Sequence, residues 1–520
     1  MFDFGKSALV ERIAWAALLC LPAHFTVAQG GGDKIGIFDG RADIGETVIP
    51  GVARFDAAAK AYTVTAAGEN MWTNRDAFYL LWKKVSGDVQ LTADIAFPRE
   101  RGRAHRKAVL IVKQDLEADG VYADVAIHGS GLSALQYRRA MGVNTQDIEL
   151  NIDFPKTARI VKRGDVISMF LSMHGEPLHQ SGASIKLHFD GPFYVGIGLC
   201  SHDKDMTETA VFSRVELKKP APAAGASEVF SSVQTIQTED KFRRAMMVRT
   251  VRGRIGSVNW SADGQTLYFN QDGRIQKMPV LGGRPENVAI APRLWCDDNH
   301  GLSPDNSQLA VSCASAAGRP SSLFAVPLAG AAARQLTHGG AAEFHGWSPD
   351  GATIVFTGVR NGRTDVYVVP AQGGEEKRLT SAGSNDGPEF GPDGRIYFTS
   401  DRSGTVQVWR MNANGAQAGQ LTSDTGSDRF PHVAPNGKQM VYLNSAGREK
   451  LGDTTLRVMD LDDGQTRVLV DVYGGDGTLN APSWSPDNHH FAFTAYDRLP
   501  RSADGPDYVL VPPKPDVPVK

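Results

Sequence analysis

Three of the 13 histidines share a position. His300, His345 and His432 each fall four or five residues ahead of an Asp or Asn in a short recurring turn: Asp305, Asp350 and Asn436. Asn299, Glu343, Asn385-Asp386, Glu389, Asp428 and Asn480 lie in the same upstream stretches. Imidazoles and carboxylates are the groups that hold divalent ions and polar ligands. Asn299, His300, Glu343, His345, Asp386, Glu389, His432 and Asn480 are therefore the candidate ligand-binding residues, with His300, His345 and His432 as the candidate metal set. The same residue types also occur as buried polar groups bonded to backbone and water. A second group, His128, Gln136, Tyr137 and Arg138 with Trp72 and Trp82, offers stacking faces and hydrogen bonds suited to a glycan. The competing reading makes the aromatics core and the polar residues a solvated strand face.

Covalent chemistry finds little support. The sequence has no Gly-x-Ser-x-Gly elbow, no HExxH, no phosphate-cradling GxxxxGK[ST] and no CxxC. A net charge of −3 argues against nucleic acid, which calls for a basic face. No cofactor is expected beyond a divalent ion at the histidine set.

The recurring turn sets the architecture. It reads Trp260-Ser-Ala-Asp263-Gly, Leu302-Ser-Pro-Asp305-Asn, Trp347-Ser-Pro-Asp350-Gly, Phe390-Gly-Pro-Asp393-Gly, Val433-Ala-Pro-Asn436-Gly and Trp484-Ser-Pro-Asp487-Asn. Pro presets φ, and the closing Gly or Asn accepts positive φ. Strand-like runs follow each turn, such as Thr353-Ile-Val-Phe356 and Thr364 to Val369. A Gly-rich turn and a short run ending in Leu-Thr then complete the unit, as at Leu336-Thr337, Leu379-Thr380 and Leu421-Thr422. Four short strands per unit is one propeller blade, and blades must stack to bury their faces. Six copies predict a six-bladed ring over 228–510. The last unit is short after Asp487, so residues 228–250, Met246 to Val251 above all, are expected to supply its outer strand. The channel candidates then fall on the innermost strands.

Residues 33–217 alternate apolar and polar positions over short stretches, for example Val89 to Phe97 and Phe193 to Leu199, and predict one β-sandwich. The run KKPAPAAGAS at 218–227 reads as a linker. Residues 511–520 read as a Pro-rich tail. Residues 1–28 look like an export signal: Lys6 and Arg12, an apolar run from Ile13 to Ala23, and Thr26-Val27-Ala28 as a cleavage site. No other long apolar run follows, so no transmembrane segment is expected after cleavage. Cys296 and Cys313 flank one turn; they either meet across neighbouring strands or are two small buried residues. The basic stretch Arg99 to Lys107 is read as a solvated hairpin end.

The repeats, and Tyr397 to Met411 in particular, resemble the TolB-like propeller proteins over about residues 228–500. That resemblance implies a six-bladed propeller in the cell envelope, with ligands and partners placed around the channel. The small α/β domain that TolB carries has no counterpart in this sequence. The stretch from Arg163 through Phe193–His202 to Glu216 is similar to concanavalin A-like jelly rolls, folds that often hold carbohydrate. No strand carries the paired Glu-x-Asp-x-x-Glu carboxylates of glycosidases of that fold. The expectation is thus an all-β, periplasmic or secreted protein: a concanavalin A-like β-sandwich plus a six-bladed β-propeller, binding an envelope protein or a glycan without catalysis. The alternative is a carbohydrate-active enzyme such as a polysaccharide lyase, with a metal on the channel histidines and Glu389 as extra ligand or base.

Overall fold

The computed structural model describes residues 34–499 apart from 100, 151, 173–177, 222–227, 241–243, 291–293, 331 and 448–450. The expected export signal, the Pro-rich tail and most of the expected linker lie outside the described residues. Among those residues the chain is all-β, with a single 3-10 turn at Asp476–Thr478.

Two antiparallel sheets make the N-terminal part. One runs in the order His179–Lys186, Val166–Ser172, Thr157–Arg163, Val89–Ala96, Asp203–Lys218, Ala61–Gly68, Val52–Asp56. The other begins Gly40–Ile44, Phe78–Val85, Phe193–Cys200, Lys107–Lys113, Tyr122–His128, Ser133–Arg138, Gln146–Leu150. Strand periodicity decides the core: Leu110, Val112, Val125, Leu135 and Ile197 face Leu91, Ile160, Met169 and Phe212 of the opposite sheet. The second sheet is buried on its far face too, where Val109, Ile111, Tyr122 and Ala126 pack under Met71 and Ala118 of the covering loops. Lys107–Lys113 is consequently apolar on both faces, where a half-exposed strand would alternate.

Five four-stranded blades follow, spanning 255–287, 295–335, 342–378, 385–420 and 427–474. The recurring turn closes by side chains as well as by backbone. Ser348 Oγ donates to Asp350 Oδ1 (2.5 Å) and accepts from Thr353 N, while Asp350 Oδ1 accepts from Ala352 N. Ser261/Asp263 and Ser303/Asp305 repeat the arrangement. Gly264, Asn306, Gly351, Gly394, Gly437 and Asn488 all take positive φ, the conformation this turn requires. The Leu-Thr ends have a matching role: Thr337, Thr380 and Thr422 accept the backbone N–H of Leu323, Val366 and Val408. Trp347 Nε1 and Trp484 Nε1 donate back to Gly301 O and His432 O of the preceding unit. Cys296 and Cys313 sit opposite each other on paired strands and form a disulfide.

The expected count of six like blades is corrected. Five sheets are separate, and the sixth repeat is built differently. Its inner strand is reduced to one bridge, Trp484 to Phe491. Its remaining strands, His490–Leu499, Glu228–Gln237 and Ala245–Arg252, pair antiparallel in that order and end the ten-stranded sheet. The cause is at the outer edge: Ala245–Met247 pairs in parallel with Ile148–Leu150, so the last sector continues into the sandwich. His490–Leu499 still closes the ring. Phe491, Phe493 and Trp484 pack on Val441 and Leu456 of the fifth blade, and Val233 and Ala492 pack on Val258 and Phe269 of the first. Burying each such Phe contributes about 1.5–3 kcal/mol.

Candidate functional site

The first strand of each blade is the innermost, and neighbouring first strands touch around the axis. Each carries a bulge at the same place, between Ile255 and Val258, Cys296 and His300, Phe344 and Gly346, Asp386 and Glu389, and Arg429 and His432. Bulges re-aim side chains. Here they turn the pre-turn residues toward the channel mouth or into the wall between blades. The residue seven before each turn Asp or Asn is, unit by unit, Gly256, Asp298, Glu343, Asp386, Arg429 and Asn480.

Glu343, His345 and Asp386 come together. One ligand atom from each lies within 4.8 Å of the others. His345 is buried, its Nε2 lacks a hydrogen-bond partner, and Asp386 Oδ1 stands 3.8 Å away. Asp386 Oδ1 also accepts from Thr357 Oγ1 and Gly387 N, which fixes the carboxylate. Burial lowers the His345 imidazole to about 4, against the opposing pull of Asp386. Glu343 is exposed as a residue, but desolvation of its carboxyl, helped by the charges of Asp386, Asp297 and Asp476, lifts it to about 8. Asp297 and Asp298 are raised by burial to about 7 and about 6. Against these five carboxyls stand Arg429, bonded to Asp476 at 2.8 Å, and Arg254, whose charge acts on Asp298. The mouth is acidic, and His345 Nε2, like His300 Nε2 in the neighbouring blade, has no hydrogen-bond partner.

The remaining channel candidates hold the ring together. His432 contacts Glu389 Oε2 through Nδ1 (2.5 Å) and donates through Nε2 to Leu479 O. Glu389 Oε1 also accepts Val433 N. With both ring nitrogens engaged, His432 has no lone pair to offer a metal. His300 contacts Asp298 O through Nδ1. Asn299 bonds Asp297 Oδ1, leaving its own buried Oδ1 without a partner. Asn480 N donates to Ser257 Oγ, and the Asn480 Oδ1 has no partner. The structure thus groups His345 with Glu343 and Asp386, while His432, near enough for its charge to act on His345, is tied by its own hydrogen bonds.

Asp297, Asp298, Arg429 and Asp476 escaped the sequence reading. For Asp298 and Arg429 the signal was present: they share the register of Glu343 and Asp386. Gly256 completes the pattern by absence, since a Cβ there would stand 2.0 Å from Asp298 Oδ1.

On the sandwich the second candidate group divides by strand parity. His128, Gln136 and Arg138 lie on the far face of the second sheet, Tyr137 on the core face. Arg138 is a structural tie. Its guanidinium takes both oxygens of Asp76 at 2.7 Å and also bonds Thr73 O, Ala118 O, Gly120 O, Val143 O and Thr145 Oγ1. Gln136 lies between Asp124 and Asp147 in a buried row across three strands. Both Asp124 oxygens, Gln136 Oε1, Asp147 Oδ1 and both His128 nitrogens lack partners. Burial holds the Asp124 and Asp147 carboxyls well above the usual range and His128 well below its own. Trp72 lies under Lys107 Nζ at 5.5 Å, and Trp82 meets Tyr194 edge-on. In the basic stretch, Arg103 pairs with Asp203, and Lys107 is buried against Asn70 and Met71.

Fold and mouth together define a β-propeller protein with an acidic channel entrance, joined to a two-sheet β-sandwich. A family model described as the TolB beta propeller domain matches residues 345–501. The uncharacterized protein Atu1656 of Agrobacterium fabrum is 36% identical over 245 residues, 46% of this chain and 83% of that protein. The Tol-Pal system protein TolB of Francisella tularensis subsp. tularensis is 24% identical over 263 residues, 49% of this chain; the match spans 59% of that relative. A solved TolB-type chain from Agrobacterium tumefaciens is 33% identical, with a TM-score of 0.49, covering 53% of this chain and 100% of that one. The chain belongs to the TolB-like β-propeller family.

Proposed function

We propose that this is an exported, non-catalytic recognition protein of the periplasm or cell surface, whose propeller mouth binds a cationic group presented by an envelope partner. The single observation behind this reading is the convergence of Glu343, His345 and Asp386, with the charges of Asp297 and Asp476 acting on Glu343. The neighbouring carboxylates add to the rise of the Glu343 pKa, and a bound cation relieves that repulsion. A divalent ion held by Glu343, His345 and Asp386, or a Lys or Arg of the partner, suits the site equally. The sandwich is read as a concanavalin A-like jelly roll that contacts envelope glycan. Residues 1–28 are read as the export signal that brings the protein there.

Titration calorimetry of the purified chain with Ca²⁺, Mn²⁺ and a tetralysine peptide tests the mouth. Binding of at least one cation that disappears in Asp386→Asn and in Glu343→Gln supports the reading. Indifference of the wild type to all of them refutes it. Cell fractionation, with the mass of the mature N-terminus, tests export. The lyase alternative would place a metal on His300, His345 and His432 together, and the engagement of both His432 nitrogens weighs against it.

A further inference from the structure

The ten-stranded sheet passes from sandwich to propeller through the parallel pairing of Ala245–Met247 with Ile148–Leu150. Beside that crossing lies a cavity of about 440 Å³, walled by both parts of the protein. Its size falls within the roughly 300–1,000 Å³ of small-molecule sites, and boundaries between domains are a favoured place for them. The sandwich supplies Tyr137, Arg139 and Ser184. The fifth blade supplies Asp453, Asp471 and Tyr473, and the ring-closing strand supplies Asp497.

The lining has a definite chemistry. Tyr137 and Tyr473 give two aromatic walls. Cations rest on them: Arg139 over Tyr137 at 4.9 Å, Lys186 and Arg498 over Tyr473 at 5.8 and 5.9 Å. Three carboxyls stand among those three cations: Asp453, Asp471 and Asp497, the last only partly ionised near neutrality. An anionic ligand would meet the carboxyls, and a purely apolar one would strand the charged groups without partners. A neutral ring with an apolar face and several hydroxyls satisfies both kinds of wall: its C–H face lies on tyrosine, and its hydroxyls bridge Asp and Arg. Asp497 is suited to such a ligand. Burial pushes its carboxyl up to about 7 against a hydrogen bond from Ser184, so near neutrality it can donate as well as accept. Arg139 Nε, buried without a partner, adds a donor. The Lys186–Asp453 pair spans sandwich and fifth blade at 2.6 Å, yet both side chains are more than half exposed. A pair this exposed holds the two parts together only weakly, so entry past it is cheap.

We propose that the cavity between sandwich and propeller binds a neutral mono- or disaccharide, stacked on Tyr473 and hydrogen-bonded to Asp471, Asp497 and Arg139. The proposal rests on the glycan-recognition part of the reading above and moves its seat from the far face of the sheet, where His128 and Gln136 lie, to the other side, which Tyr137 lines.

The test is titration of the full chain with N-acetylglucosamine, cellobiose, maltose and galacturonic acid, followed by saturation-transfer NMR. A neutral sugar should bind with a Kd of about 1 mM or tighter. Tyr473→Ala and Asp497→Asn should each weaken it about tenfold or more, and Gln136→Ala should leave it unchanged. A thermal melt checks that each variant is folded; if Tyr473→Ala is not, Tyr473→Leu and Asp471→Asn replace it. Three results overturn the proposal: no neutral sugar binding, preference for galacturonic acid, or loss in Gln136→Ala but not in Tyr473→Ala. The last would leave glycan recognition standing at the other face. Failure of the cavity also leaves the cation response of Glu343 and Asp386 untouched.

Discussion

Replacing Asp76 by Ala should damage the sandwich far more than replacing its partner Arg138 by Met. All three charged side chains in this cluster are buried: Arg138 and Lys113 are 0% exposed and Asp76 1%. Asp76 takes two 2.7 Å bonds from Arg138 and lies 3.7 Å from Lys113. Removing it leaves two cations facing each other in a site closed to water. Breaking a buried pair from one side costs about 3–5 kcal/mol. Lys113 can shed part of its share, because burial already lowers its pKa and favours the neutral amine. Arg138 cannot, since a guanidinium keeps its proton. In Arg138→Met, by contrast, Asp76 keeps Lys113 as a counter-ion, and the Met stem fills much of the vacated space. The expected order of stability is wild type, then Arg138→Met, then Asp76→Ala. For a unit of this size, about 3–5 kcal/mol lowers the melting temperature by roughly 6–20 °C. Differential scanning calorimetry of the three proteins measures it, and a double variant Asp76→Leu/Arg138→Met should recover part of the loss. If Asp76→Ala melts within about 1 °C of wild type, or if Arg138→Met is the worse of the two, the account of this cluster is wrong.

Other expectations concern the propeller and the thiols. The carboxyls of Asp298, Asp297, Asp497 and Glu343 are raised in the folded state to about 6, 7, 7 and 8. Each therefore contributes stability that is complete below its ordinary pKa near 4 and is lost as pH rises through the folded value. Melting temperature should fall between about pH 4 and 8 and level off above that, and Glu343→Gln should flatten the upper part of that fall, by an amount reduced by the exposure of the Glu343 side chain to water; a Glu343→Gln profile parallel to wild type counts against the acidic mouth. Cys313→Ser should lower propeller stability by about 3 kcal/mol, the loop-closure value for a separation of 17 residues, as read from denaturant unfolding. Cys200 is buried with its thiol pushed up to about 11, so peptide mapping should find it alkylated only after unfolding. Ser348→Ala removes one bond to Asp350 and one from Thr353 N, and should cost about 1 kcal/mol by the same unfolding measurement.

Local sequence carried the turns and strands, because each depends on neighbours in the chain. Asp350, Gly351 and Ser348 lie within four residues of one another, and their hydrogen bonds follow from the spacing. The Leu-Thr ends were visible as a pattern, though the role of Thr380 as acceptor for Val366 N spans fourteen residues and waited on the blade. The channel site was half legible. Glu343, His345 and Asp386 were singled out by position, but nothing local distinguishes His345, with a free Nε2, from His432, tied at both nitrogens. Which atoms remain available depends on contacts 43 and 47 residues away. On the sandwich, strand parity alone separates Tyr137 from Gln136 and Arg138, while the Asp76 that occupies Arg138 lies 62 residues upstream.

The sequence by itself therefore determined the repeating unit: turn chemistry, strand alternation and the register that carries Asp298, Glu343 and Asp386 on three successive blades. All of these are written in residues a few positions apart, whose backbone preferences do not depend on what is distant. Tertiary structure alone decided how the ring ends. The short last unit already called for residues 228–250, and Glu228–Gln237 and Ala245–Arg252 do pair there; that this sector runs on into the sandwich depends on which edge meets Ile148–Leu150, a free-energy choice between surfaces almost a hundred residues apart. The cavity beside that junction exists only because the two parts meet there, and no stretch of sequence contains it.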